Sequence, residues 1–125
     1  MESLGLQNIY QKVLEQFVYP IWIWFWELQG DDWKTLNSEN FIAKYNVQNQ
    51  GSLDLHHDSS SITLNVRLNN DFKGGGTYLP KYKLTTQPKK IGNAMAHPGK
   101  ITHLHGGRPV EEGTRYILVT FTSNN

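Results

Sequence analysis

Apolar residues at Leu6, Ile9, Tyr10, Val13, Leu14, Phe17 and Val18 recur at steps of three and four. That spacing aligns them as one stripe on a helix and predicts an amphipathic α-helix over residues 6–18. The apolar density runs on from Phe17 to Trp26, with Pro20 inside it and Glu27 behind it. This stretch is about half of the ~20 residues needed to span a bilayer, so it reads as core.

Beyond the turn-rich Gly30-Asp31-Asp32 and the run from Asn37 to Asn40 the pattern changes to short segments of strand composition. These predict strands over 41–47, 53–58, 62–68, 77–82, 91–96, 101–105 and 116–122. Gly74-Gly75-Gly76, His97-Pro98-Gly99 and the run from Gly106 to Gly113 separate several of them. Many short strands with turns between them predict a mainly β fold, a barrel or a two-sheet jelly roll, with the helix covering one sheet from outside. A jelly roll can hold a metal between its sheets.

At 125 residues, with 38% hydrophobic and 12% aromatic residues, the chain is one domain over 1–125 with enough apolar material for a core. Twelve Lys and Arg against eleven Asp and Glu give a formal charge of +1. No basic block points to nucleic acid or to an anionic membrane. Cysteine is absent, so a metal site here must use His, Asp or Glu. No segment has the zoned composition of a secretory signal.

Candidate chemistry gathers at His56-His57-Asp58 and His105. Alternate residues of a strand share a face, so His56 and Asp58 can point into one cavity, opposite Leu53 and Leu55, while His57 points to solvent or supports the site from behind. A distant strand must supply a third ligand. Two imidazoles and one carboxylate on one side of a metal leave positions open, the arrangement of non-haem Fe(II) oxygenases. His103 shares strand parity with His105 and competes for the third place, whereas His97, beside Pro and Gly, suits a turn. Arg115 is the polar end of the stripe Ile117, Val119 and Phe121, and a guanidinium so placed needs an anion able to accept its planar fork. Tyr45 shares parity with Phe41 and Ala43 and offers a hydroxyl. Asn65, with Thr63, faces away from Ile62, Leu64, Val66 and Leu68, where it is either exposed or bonded to a ligand. The three glycines lack the Lys-Ser/Thr of a phosphate loop and read as a tight turn.

Taken together, His56-His57-Asp58 followed by Asn65 and Asn69, Gly74-Gly75-Gly76, His97-Pro98-Gly99 with His105, and Gly113-Thr114-Arg115-Tyr116 resemble the catalytic domain of the procollagen-lysine 2-oxoglutarate dioxygenases, the lysyl hydroxylases. The likeness covers nearly the whole chain and is most diagnostic over residues 53–122. It implies a double-stranded β-helix with Fe(II), 2-oxoglutarate and ascorbate. By position it makes His56, Asp58 and His105 the iron ligands, Arg115 the partner of the distal carboxylate of 2-oxoglutarate, and Tyr45 and Asn65 further cosubstrate contacts. It also implies a collagen-like substrate, the lumen of the endoplasmic reticulum and a homodimer.

Two departures stand out. The family's cysteine after the triple glycine is Thr77 here, and the domain's first strands are expected upstream of Met1, which would leave apolar surface uncovered. The leading function is hydroxylation of peptidyl lysine; the alternatives are a peptidyl prolyl hydroxylase and a non-catalytic binding or dimerising fragment.

Overall fold

The computed structural model describes residues 5–26, 36–99 and 104–124. It opens with one long helix that changes its winding partway: α1 (Gln7–Val13), a π-helical turn over Leu14–Val18, and α2 (Tyr19–Trp26). Pro20 has no N–H to donate and stands in the interior of this continuous helix just past the π turn, a widening that helps a helix accommodate a proline. The consequence is a change of buried face. Tyr10 to Leu14 is a step of four, but Leu14 to Tyr19 is a step of five, and the buried stripe continues through Trp22 and the half-buried Ile23.

The helical stripe expected from the spacing is therefore corrected. Leu6, Ile9, Val13 and Phe17 are exposed, while Leu14, Tyr19 and Trp22 are buried against Leu36, Ile62 and Leu64. The stretch after Phe17 is core on one face only, since Ile21 and Trp24 stand in solvent. No helix among the described residues is long and apolar enough to cross a membrane.

Among the described residues nine strands follow: β1 (Leu36–Asn46), β2 (Leu53–His56), β3 (Ile62–Arg67), β4 (Phe72–Gly74), β5 (Thr77–Leu79), β6 (Leu84–Thr86), β7 (Ala94–Pro98), β8 (His105–Gly107) and β9 (Val110–Asn124). They form a larger antiparallel sheet in the order β1-β9-β3-β7, with β4 paired to the start of β9, and a smaller one in the order β2-β8-β5-β6. The strand interleaving of a two-sheet jelly roll results. The helix packs on the outer face of the larger sheet, where Tyr10 bonds Thr120 at 2.8 Å and Tyr19 bonds Ser38.

The expected strand at 77–82 stops at Leu79 and gives way to a 3₁₀ turn over Pro80–Tyr82; the one at 91–96 is displaced to Ala94–Pro98; β4 and β6 were not expected. His97 thus belongs to a strand rather than to a turn. The 101–105 segment lies mostly outside the described residues, as does His103.

Candidate metal and cosubstrate site

The inner face of the larger sheet carries the residues of opposite parity to those under the helix. Register sets them in rows: Glu39 opposes Phe121, which opposes Thr63, which opposes His97; Phe41, Val119 and Asn65 form the next row; Tyr45 and Arg115 face each other farther along. A cavity between the sheets is lined by Phe41, Tyr45, Asn65 and Arg115 from this face, and by His56, Asp58 and His105 across from it.

His56 and His105 are direct cross-strand partners at the junction of β2 and β8, which brings residues 49 apart in sequence into contact. Their ring centroids are 4.4 Å apart. Asp58 lies just past the end of β2, and its backbone N–H donates to the Gly99 carbonyl at 2.6 Å. The three ligand atoms lie within 4.8 Å of one another. His56 Nε2 is 3.2 Å from Asp58 Oδ1, and His105 Nε2 is 3.2 Å from Asp58 Oδ2. Ligands held at ~2.1 Å by perpendicular bonds to one ion are about 3 Å apart; the His56 Nε2–Asp58 Oδ1 spacing has about that size, and with one ligand atom from each residue the cluster is compact enough for a single divalent cation. His56 Nδ1 is 2.7 Å from the Asp54 carbonyl, which can only accept, so that nitrogen carries the proton and Nε2 offers its lone pair toward the cluster.

Strict alternation does not hold along β2. A register shift between Leu53 and His56 turns Leu53 into the cavity wall, although its parity is opposite to that of His56. Leu55 and His57 face solvent.

Burial alone would push the Asp58 carboxyl up. Hydrogen bonds from His105 and Thr63 and the nearby imidazoles outweigh it and hold the group below the ordinary carboxylate value. Burial lowers the Arg115 guanidinium from its ordinary value, although the Tyr45 phenol opposes this; an arginine nonetheless keeps its proton in a protein. Burial raises the Tyr45 phenol despite Arg115 beside it, so Tyr45 is a neutral hydroxyl able to donate.

Arg115 is buried, and its guanidinium carbon stands 5.7 Å from the centre of the Tyr45 ring and 6.0 Å from that of Phe72. Among the described residues no carboxylate pairs with it. An uncompensated buried cation is costly, so the cavity presents a positive site suited to an anionic ligand. Gly74, Gly75 and Gly76 all adopt left-handed backbone angles, and Gly76 lines the cavity.

Several contributors were not singled out from the sequence as site residues. Thr63, Phe41 and Phe121 line the cavity, and the parity that selects Asn65 also selects Thr63. His97 is buried with its ring centroid 4.4 Å from that of His105, a position that its Pro-Gly neighbours gave no sign of.

No protein-family model matches the chain. In fold it is similar to the solved structure of a viral collagen prolyl hydroxylase from Paramecium bursaria Chlorella virus 1 in complex with 2-oxoglutarate, with a TM-score of 0.60 over 96% of this chain and 71% of that one. At 20% identity that likeness establishes the fold alone, a two-sheet jelly roll. Over 97% of its length the chain is 39% identical to procollagen-lysine,2-oxoglutarate 5-dioxygenase 2 of Mus musculus, 42% to procollagen-lysine,2-oxoglutarate 5-dioxygenase 1 of Rattus norvegicus and 37% to procollagen-lysine,2-oxoglutarate 5-dioxygenase of Drosophila melanogaster. It is a homologue of one segment of these enzymes, and it spans 17% of their length.

Proposed function

We propose that the chain carries the catalytic site of an Fe(II)- and 2-oxoglutarate-dependent dioxygenase that hydroxylates lysine in collagen-like sequence. The observation that carries this reading is one cavity holding both the His56, Asp58 and His105 cluster and a buried Arg115 with no carboxylate partner among the described residues. The donor set of two nitrogens and one oxygen suits ferrous iron and leaves coordination positions open.

Ferrous iron bound there supplies the activation of dioxygen, coupled to oxidative decarboxylation of 2-oxoglutarate. The chain's own residues bind and orient. His56 and His105 present Nε2, and Asp58 presents its carboxylate. Arg115 receives the distal carboxylate of 2-oxoglutarate on its planar fork, with Tyr45 and Asn65 as neutral hydrogen-bond partners from the neighbouring strands. Val119, Ile117, Phe41 and Phe121 give the cavity apolar walls that exclude water from the reacting centre. Ascorbate serves as the reductant that maintains ferrous iron, and the relation to the procollagen-modifying enzymes supports the endoplasmic reticulum lumen as the compartment.

Glu39 favours lysine over proline. It is exposed, follows the parity of Phe41 on β1, pairs in register with Phe121 of the cavity lining and has no ion pair among the described residues, so it offers a carboxylate to a substrate amine. The test is anaerobic loading of the chain with Fe(II) and 2-oxoglutarate, then admission of oxygen with lysine- and proline-containing collagen-like peptides. Succinate formed with a 16 Da mass gain, roughly that of one oxygen atom, on lysine is the expected result. A gain on proline selects the prolyl reading, and no succinate with either peptide defeats the dioxygenase reading.

A further inference from the structure

The side chain that fixes the metal-binding carboxylate is a threonine between a serine hydroxyl and that carboxylate, and because an ionised carboxylate can only accept, the threonine proton goes to it. Thr63 Oγ1 donates to Asp58 Oδ2 at 2.6 Å, and Ser60 Oγ lies 2.8 Å from the same Thr63 oxygen. A hydroxyl has one proton. Since the Thr63 proton is committed to Asp58, Ser60 must be the donor in the second bond, and the relay runs in one direction from Ser60 through Thr63 to Asp58. Ser60 and Thr63 are both buried, at 1% and 2% exposure, so water does not compete for either bond.

The backbone around this relay is built to the same end. Gly99 accepts the Asp58 N–H at 2.6 Å and donates its own N–H to the Ser61 carbonyl at 3.2 Å. A Cβ on Gly99 would overlap Ser60 Oγ, and would lie 2.7 Å from the Ser60 carbonyl oxygen and 2.9 Å from Asp58 Cβ. The backbone angle at Gly99 is not left-handed, so what the position requires is space. Both the main chain and the side chain of Asp58 are therefore held, one by Gly99 and the other by Thr63.

The geometry points to Thr63 as a positioning residue for the metal site, with Ser60 as its orienting partner: the threonine hydroxyl occupies Oδ2 of Asp58 and leaves Oδ1 as the oxygen offered to a cation. A carboxylate bound through one oxygen takes one coordination position, whereas one bound through both would take a position that cosubstrate or dioxygen needs. This inference rests on the metal-site reading. It adds to it two residues and a role, since supporting bonds of this kind set ligand orientation and basicity and are typically worth about 10- to 100-fold in metal affinity.

The test is titration of the metal-free 125-residue chain with Co(II), following both the dissociation constant and the visible d–d absorption, in wild type, Thr63→Val, Thr63→Ser and Asp58→Ala. Valine keeps the shape and removes the hydroxyl. Thr63→Val is expected to bind Co(II) roughly 10- to 100-fold more weakly with an altered absorption band, and Thr63→Ser to recover both, which a packing role would not give. Wild-type affinity and an unchanged band in Thr63→Val overturn the inference. If Thr63→Val does not fold, Ser60→Ala carries the test: weakened binding supports the relay and wild-type binding overturns it. A folded wild-type chain that binds no Co(II), or binds it as well in Asp58→Ala, defeats the metal-site reading and this inference with it. Binding lost in Asp58→Ala but kept in Thr63→Val defeats this inference alone.

Discussion

Gly75 stands against Arg115: a Cβ at Gly75 would lie 3.0 Å from Arg115 Cδ and 3.5 Å from its Nε. The φ of +77° at Gly75 adds a second reason for glycine, since a side chain there costs roughly 1–2 kcal/mol. The triple glycine therefore does more than turn the chain. Its middle residue makes room for the buried guanidinium of Arg115. Gly75→Ala should lower thermal stability and also displace Arg115, weakening 2-oxoglutarate binding by about tenfold. Isothermal titration with 2-oxoglutarate in the presence of Mn(II) checks this, and a variant that loses stability but binds normally would mean that the guanidinium does not depend on Gly75.

Arg115 itself should show opposite effects on binding and on stability. Arg115→Lys keeps the charge but loses the fork, and 2-oxoglutarate affinity should fall roughly 10- to 100-fold. Arg115→Met removes a buried cation that has no carboxylate partner among the described residues. In the absence of cosubstrate it should melt at the same temperature as wild type or higher, because the desolvation cost disappears. A clear loss of melting temperature in the methionine variant would reveal a structural partner for Arg115 and count against an anion-binding role.

The acid limb of stability should depend on Asp58. Its folded carboxyl is held below its ordinary value, so the folded state binds this proton less tightly than the unfolded chain does. The resulting stabilisation is present above the unfolded value, roughly 3.9, and is lost as pH falls through the lower folded value. In metal-free protein with chelator, Asp58→Asn should therefore melt lower than wild type at neutral pH, and the gap should close below about pH 4. A gap that is constant from pH 7 to pH 3 would show that packing, not charge, is what the substitution removes.

Much of the placement of side chains around the candidate site was legible because strand parity is a strong constraint. The sheet face that carries Ile62, Leu64 and Val66 is under the helix, so Thr63 and Asn65 had to face the other way, into the cavity. What escaped were the places where local geometry breaks the period. The π turn after Val13 shifts the buried face by one residue, and the irregular pairing in β2 brings Leu53 onto the side of His56. Strands β4 and β6 have three residues each, too few for a period to register. His97 and Gly99 owe their roles to the pairing of β7 with β3, a long-range contact that local sequence does not encode.

The last prediction concerns the substrate amine. Glu39, Phe121 and Thr63 lie in one cross-strand row, and two inter-strand spacings place Glu39 roughly 10 Å from Thr63, the residue that holds Asp58. Phe41 and Phe121, whose rings meet edge to face with centroids 5.2 Å apart, form an apolar wall beside that span. A lysine stem laid along the wall would carry its ammonium toward the glutamate while its methylenes approach the metal cluster. Because Glu39 is exposed, the ion pair should contribute at most about 1 kcal/mol, a change of up to roughly fivefold. Glu39→Gln should therefore raise KM for a lysine peptide two- to fivefold, by that same estimate, with kcat unchanged, and the effect should shrink as salt is added. Glu39→Lys should raise it further by repulsion. An unchanged KM in both variants, or an equal change with a peptide that carries no cation, would remove Glu39 from substrate recognition and withdraw this structural preference for lysine.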